Sequence, residues 1–152
     1  MLSNYTNEEI LEEYRLRFNT LRETIKIGGA PEAIAKFITH YESLDQSRES
    51  FVIMFLDQQN KFIKIETLFT GTINSSAVYP REIIKAVLEC NAQNVILSHN
   101  HPSGKVDPSS SDRLVTKKIK TALESIDVNL LDHIIYGNGS LKTFSFMNAG
   151  IL

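Results

Sequence analysis

The run Phe51-Val52-Ile53-Met54-Phe55-Leu56 is apolar at every position and has the length of a β-strand. Successive side chains of a strand point to opposite faces, so a run without polar alternation suits a strand covered on both sides. Such a strand asks for a packed layer on each face of one sheet. Asp57-Gln58-Gln59-Asn60 then turns the chain, and Phe62 to Phe69 returns as an antiparallel partner. Gly71 to Val78 reads as loop or irregular strand.

Helices supply the covering layers. Pro80-Arg81-Glu82 opens one that reaches about Cys90, and a short strand follows over Asn94 to Ser98. A long helix is expected from Ser109 to Ser125, with Leu114, Val115, Ile119, Ala122 and Leu123 facing inward. Val128–Tyr136 and Leu141–Phe146 flank Gly137-Asn138-Gly139, a strong hairpin signal. Upstream, Thr6-Asn7-Glu8-Glu9 has the form of a capping box, and Ile10, Leu11, Tyr14, Phe18, Leu21 and Ile25 follow at helical spacing. Gly28-Gly29 ends that segment. Pro31 then starts a helix whose buried stripe would be Ala33, Ile34, Phe37, Ile38 and Tyr41. Ser43 to Ser47 reads as a polar linker. The expected architecture is α/β, a mixed β-sheet with helices packed on it. A helical segment over 1–47 precedes the α/β domain of 48–152.

With 152 residues, 42% of them apolar, the chain can bury the core of one domain. No apolar stretch reaches the length of a membrane span, and the polar, acidic N-terminus lacks the features of a signal peptide. The lone Cys90 excludes an intrachain disulfide and suits a reducing compartment, so a cytoplasmic location is expected. Its amphipathic helical surroundings read as those of a half-buried, inert thiol. A formal net charge of −2 exerts no global pull on nucleic acid.

The chemistry concentrates in Ser98-His99-Asn100-His101-Pro102-Ser103-Gly104 and in Ser109-Ser110-Ser111-Asp112. On a strand, His99 and His101 at i, i+2 share one face. Pro102 and Gly104 turn the chain, and Asp112 falls in the first turn of the following helix. Two imidazoles and a carboxylate suit a borderline divalent metal such as zinc. Three protein ligands leave one coordination position open for water, which is the layout of a catalytic site.

His99-x-His101-Pro102 followed by Ser109-x-x-Asp112 resembles the signature of the JAMM/MPN metalloprotease superfamily. Gly71-Thr72-Ile73-Asn74-Ser75-Ser76, Tyr79-Pro80-Arg81-Glu82-Ile83, His99 to Gly104 and Leu131-Asp132-His133-Ile134-Ile135 are similar to its RadC-like branch. The resemblance runs from about Arg48 to Leu152. It implies a cytidine-deaminase-like sandwich in which His99, His101 and Asp112 bind zinc and Ser109 assists the oxyanion. It also implies a general-base glutamate at the start of an early core strand. Glu49 fits that position, and Glu66 on the following strand is the alternative. The activity implied is hydrolysis of a peptide or isopeptide bond by metal-activated water, with a peptide or isopeptide-linked protein as substrate.

Other readings stand beside these. Ser109 also reads as a plain helix N-cap, and Glu49 as a solvated charge at a strand entry. His133 beside Asp132 reads as mainly structural, and His40 as a polar terminus. Arg113, Lys117, Lys118 and Lys120 read as a solvated helix face. A DNA-associated role is the first alternative function, opposed by the net acidity and by the lack of a legible helix-hairpin-helix segment. A non-catalytic MPN interaction domain is the second, opposed by the intact ligand triad.

Overall fold

The computed structural model describes residues 6–13, 26–74 and 76–152. Besides a helical stretch over 7–13, the described residues form three helices and five strands: α1 (Ala30–Glu42), β1 (Ser50–Leu56), β2 (Phe62–Thr70), α2 (Pro80–Cys90), β3 (Asn94–His101), α3 (Ser110–Glu124), β4 (Asn129–Gly137) and β5 (Lys142–Ser145). The strands form one mixed sheet in the order β2-β1-β3-β4-β5. Only β3 and β4 run parallel, joined by the crossover through α3; the other three pairs are antiparallel.

Every residue of β1 is buried, as its unbroken apolar run requires. The twofold side-chain period divides it between two cores. Phe51, Ile53 and Phe55 join Val95 and Leu97 of β3 beneath Ile83 and Val87 of α2 and Val115, Ile119 and Leu123 of α3. Val52, Met54 and Leu56 join Ile96, Ile134 and Tyr136 beneath Ala33, Phe37 and Tyr41 of α1. Tyr41 stacks on Tyr136 with ring centroids 5.4 Å apart, and its hydroxyl meets Ser98 Oγ at 2.7 Å. The α/β sandwich expected from the sequence is the architecture found.

Local signals account for most element boundaries. Pro31 lies in the first turn of α1 and Pro80 in that of α2. Asn91 terminates α2 in the left-handed conformation, at φ 54°. The Thr6–Glu9 capping box forms: Glu9 N–H donates to Thr6 Oγ1 at 3.2 Å, and Thr6 N–H donates to Glu9 Oε2 at 2.7 Å. Ile10 and Leu11 are exposed, while Tyr14, Phe18, Leu21 and Ile25 lie outside the described residues, as does Ser75.

Two expectations need correction. β3 runs on to His101 instead of stopping at Ser98, so both histidines belong to the strand itself. On α3, Leu114 does not face inward; it is 59% exposed. The buried stripe is Asp112, Val115, Thr116, Ile119 and Leu123. The helix is turned so that two polar residues point at the end of β3, where they have polar partners.

Among the described residues, no helix is long and apolar enough to cross a membrane.

Candidate metal centre

The odd-numbered side chains of β3 point to the face covered by α2 and α3. Val95 and Leu97 fill the core there, and His99 and His101 continue the same line toward the strand's C-terminal end. In α/β sheets that end, beside a crossover helix, is where ligands bind. Pro102 to Gly104 then reverses the chain, with Gly104 N–H donating to His101 C=O at 3.0 Å and Gly104 at φ +84°. The return brings in the first turn of α3.

Ser109 caps α3. Its Oγ accepts from Asp112 N–H at 3.0 Å, and its own N–H donates to Asp112 Oδ2 at 2.8 Å. The reciprocal pair orients the Asp112 carboxylate toward the histidines. Asp112 Oδ1 lies 3.3 Å from His99 Nε2, Oδ2 lies 3.4 Å from His101 Nε2, and the two Nε2 atoms are 3.0 Å apart. One donor atom from each of the three residues falls within 4.8 Å of the other two, a group that could hold a metal ion. His99 and Asp112 are buried and His101 is half-buried, so the group opens to solvent at its outer edge.

Donor chemistry supports that fit. His101 Nδ1 meets Lys105 C=O at 2.8 Å. A carbonyl oxygen only accepts, so Nδ1 carries the proton and the Nε2 of a neutral ring presents its lone pair to His99 and Asp112. A carboxylate and an imidazole lone pair converging at this range create a place for a cation. Burial pushes the Asp112 carboxyl up, but the protonated forms of His101 and His99, each with an Nε2–H to donate, outweigh it and hold the group far below the ordinary carboxylate range. In the protonated ring Nε2–H donates to Asp112, and that bond raises the His101 pKa against the opposing effect of burial, with a smaller electrostatic contribution from Glu49.

Glu49 immediately precedes β1. Carried two residues beyond the Phe51–His99 pair, the antiparallel register brings it alongside His101. Its Oε2 accepts Ile73 N–H at 2.8 Å, and its backbone carbonyl accepts Gly71 N–H at 2.9 Å. The irregular segment after β2 therefore fixes this carboxylate. Glu66 sits elsewhere: it pairs in register with Ile53 on the edge strand β2 and lies 3.1 Å from Lys64 Nζ.

Three further residues shape the site: Asn100 and Thr116, which the sequence did not single out, and His133, which it presented as mainly structural. Asn100 separates the two histidines and points to the opposite face, 1% exposed. Its Oδ1 accepts Ser50 N–H at 2.7 Å, and its Nδ2 donates to Arg48 C=O at 2.9 Å and to Asn138 Oδ1 at 2.6 Å. It thus holds the backbone on both sides of Glu49. His133, fully buried on β4, sets Nε2 2.8 Å from His99 Nδ1 and Nδ1 2.6 Å from Thr116 Oγ1. Burial pushes its imidazole well below the ordinary value. Thr116 Oγ1 in turn donates to Asp112 C=O at 2.8 Å. The alternation of His99-Asn100-His101 was the one legible signal for Asn100, since a polar residue between two same-face ligands must be buried on the other side of the sheet.

The remaining expectations have settled places. Cys90 is half-buried and burial raises its pKa, as expected of an inert thiol. Asp132, buried beside His133, accepts His133 N–H at 2.7 Å, Ser145 Oγ–H at 2.6 Å and Met147 N–H at 3.0 Å. That fully bonded carboxylate ties β4 to the end of β5.

Comparison with known proteins adds independent findings. A family profile for the RadC-like JAB domain matches residues 29–151. A UPF0758 protein of Haemophilus influenzae (strain PittEE) is 51% identical over 115 residues, which cover 76% of this chain and 52% of that protein. A UPF0758 protein of Pseudoalteromonas translucida is 46% identical over 119 residues, covering 78% of this chain and 53% of that one. A third, from Actinobacillus pleuropneumoniae serotype 5b, is 42% identical over 138 residues, covering 91% and 61%. The chain spans about half the length of the first two relatives.

Proposed function

The chain belongs to the RadC-like JAB domain family, and on that premise we propose that it is a zinc-dependent metallohydrolase acting on a peptide or isopeptide bond. The observation that carries the reading is the convergence of His99, His101 and Asp112 at one strand end, with the Glu49 carboxylate alongside.

His99, His101 and Asp112 would hold the ion and leave a fourth position open. Bound there, zinc supplies a Lewis acid that polarises a carbonyl and makes water acidic near neutrality. The protein's own groups do the rest. Glu49, its orientation fixed by Ile73 N–H, accepts the proton of the attacking water and returns it to the departing nitrogen. The C–N bond breaks as the new C–O bond forms, giving a carboxylate and an amine. Ser109 spends an oxygen lone pair on the helix cap and keeps its hydroxyl proton to donate to the developing oxyanion. Capping and catalysis are thus compatible at one side chain. Neither Cys90 nor a serine nucleophile is required. The substrate is a peptide or an isopeptide-linked protein, and the workplace is the cytoplasm.

Elemental analysis of tag-free protein tests the first half of the proposal. Near-stoichiometric zinc in wild type, lost in His99→Ala and Asp112→Ala, supports it; no zinc after reconstitution refutes it. A panel of peptide and isopeptide substrates, with Glu49→Gln as control, tests the second half. Equal cleavage by the control would remove Glu49 from its role.

A further inference from the structure

Two residues outside the triad form a continuous polar line that begins at a ligand and ends at the backbone. His99 Nδ1 meets His133 Nε2 at 2.8 Å, His133 Nδ1 meets Thr116 Oγ1 at 2.6 Å, and Thr116 Oγ1 meets Asp112 C=O at 2.8 Å. The line therefore starts on one proposed ligand and closes on the main chain of another. We propose that His133 and Thr116 are positioning residues that hold His99 in the Nδ1–H tautomer, with its Nε2 lone pair directed at the metal position. This rests on the metal reading above.

The direction of the line follows from its far end. A backbone carbonyl only accepts, so the Thr116 hydroxyl proton is committed to Asp112 C=O, the usual bond of a helical threonine to the residue four earlier. Thr116 Oγ1 then acts as acceptor, and His133 Nδ1 must be the donor. His133 is fully buried and neither of its ring nitrogens meets a carboxylate, so the ring is neutral and carries one N–H, which leaves Nε2 as an acceptor. His99 Nδ1 consequently donates, and the lone pair of His99 falls on Nε2, 3.3 Å from Asp112 Oδ1 and 3.0 Å from His101 Nε2. The two ligand histidines are thereby set alike: a backbone carbonyl fixes His101 directly, and another fixes His99 through two side chains.

Packing explains how the line keeps its geometry. The His133 ring stacks on Phe146 at a centroid distance of 4.8 Å and meets Phe51 edge to face at 5.8 Å. Phe51 also stacks on His99 at 6.5 Å. Water has no access to a histidine that is 0% exposed, so no solvent proton can substitute for the one Thr116 must accept. A histidine placed for packing alone would not need a threonine hydroxyl at its far nitrogen. This arrangement also accounts for the rotation of α3, which buries Thr116 and leaves Leu114 outside.

The chain has only four histidines, so two-bond 1H–15N correlation spectra of the imidazoles can be assigned by single substitutions. In metal-free wild type, His99 and His133 should both appear as Nδ1–H tautomers. Thr116→Val should disturb both tautomers and weaken zinc binding, measured by chelator competition, by about 10- to 100-fold. Thr116→Ser should restore both readouts, which a packing role for the threonine methyl would not allow. Nε2–H tautomers in wild type would overturn the proposal without recourse to any variant. So would unchanged tautomers and a zinc affinity within twofold of wild type in Thr116→Val. Wild-type protein with the expected tautomers but no zinc affinity would refute the metal reading and leave the line itself supported.

Discussion

Asn100→Ala isolates the contact that joins the histidine strand to the strand entry carrying Glu49. The amide is buried, and its three hydrogen bonds go to Ser50 N–H, Arg48 C=O and Asn138 Oδ1 at 2.7, 2.9 and 2.6 Å. The amide orientation is fixed by chemistry, since Ser50 N–H can only donate and Arg48 C=O can only accept. At a net contribution of about 1 kcal/mol per hydrogen bond, removing the group costs about 3 kcal/mol, and the stranded Ser50 N–H keeps the figure from being lower. For a domain of this size that lowers Tm by about 6–12 °C. Urea unfolding of the metal-free protein, followed by circular dichroism, measures the loss directly. Asn100→Asp is the companion: it keeps an acceptor for Ser50 but turns a carboxylate toward two further acceptors, so it should be at least as destabilising at neutral pH. Because both neighbours of Glu49 lose an anchor, turnover should fall by about 10- to 100-fold with zinc content retained. A loss below about 1 kcal/mol in Asn100→Ala, with amide exchange at Ser50 unchanged, would refute the reasoning.

Further outcomes follow from neighbouring contacts. Ser109→Ala should cost about 1 kcal/mol as a lost helix cap, and the fall in turnover should exceed what that loss of folded protein explains; a variant as active as wild type would reduce Ser109 to a cap. A Cβ on Gly137 would lie 2.9 Å from Gly104 C and closer still to its carbonyl oxygen, both backbone atoms of the turn after His101. Gly137→Ala should therefore destabilise the fold by about 1–3 kcal/mol and weaken zinc binding, read by thermal unfolding and chelator competition; wild-type behaviour in both would show that the turn yields without cost. In metal-free protein, an NMR titration should place His101 above the ordinary histidine pKa of 6.5 and His40 below it. The signs of the linkage differ: the His101 contribution is full below its unfolded pKa and is lost as pH rises through the folded value, whereas that of His40 is present above its unfolded pKa and is lost as pH falls through the folded value. Midpoints in the reverse order would contradict the Asp112 hydrogen bond as the cause for His101 and burial as the cause for His40.

The features legible in the sequence are those set by covalent geometry over a few residues. The twofold period of a strand makes Phe51–Leu56 a two-faced core element and sends His99 and His101 the same way, whatever lies around them. The Thr6–Glu9 and Ser109–Asp112 capping boxes close between residues three apart, and prolines place the starts of α1 and α2. Tertiary structure decided the rest. Leu114 is more apolar than Thr116, yet Thr116 is the one buried, because His133 on β4 and the end of β3 offer that side of α3 polar partners. Asn100 looks like a spacer until β1 lies beside β3 and presents Ser50 N–H and Arg48 C=O to it. Likewise His133 becomes the neighbour of His99 only through the parallel β3–β4 pairing, which joins segments separated by the whole of α3. Hydrophobic periodicity ranks the faces of an isolated element; which face turns inward at a site depends on hydrogen-bond partners that arrive from distant sequence, and a buried polar group left without one costs more than an exposed leucine.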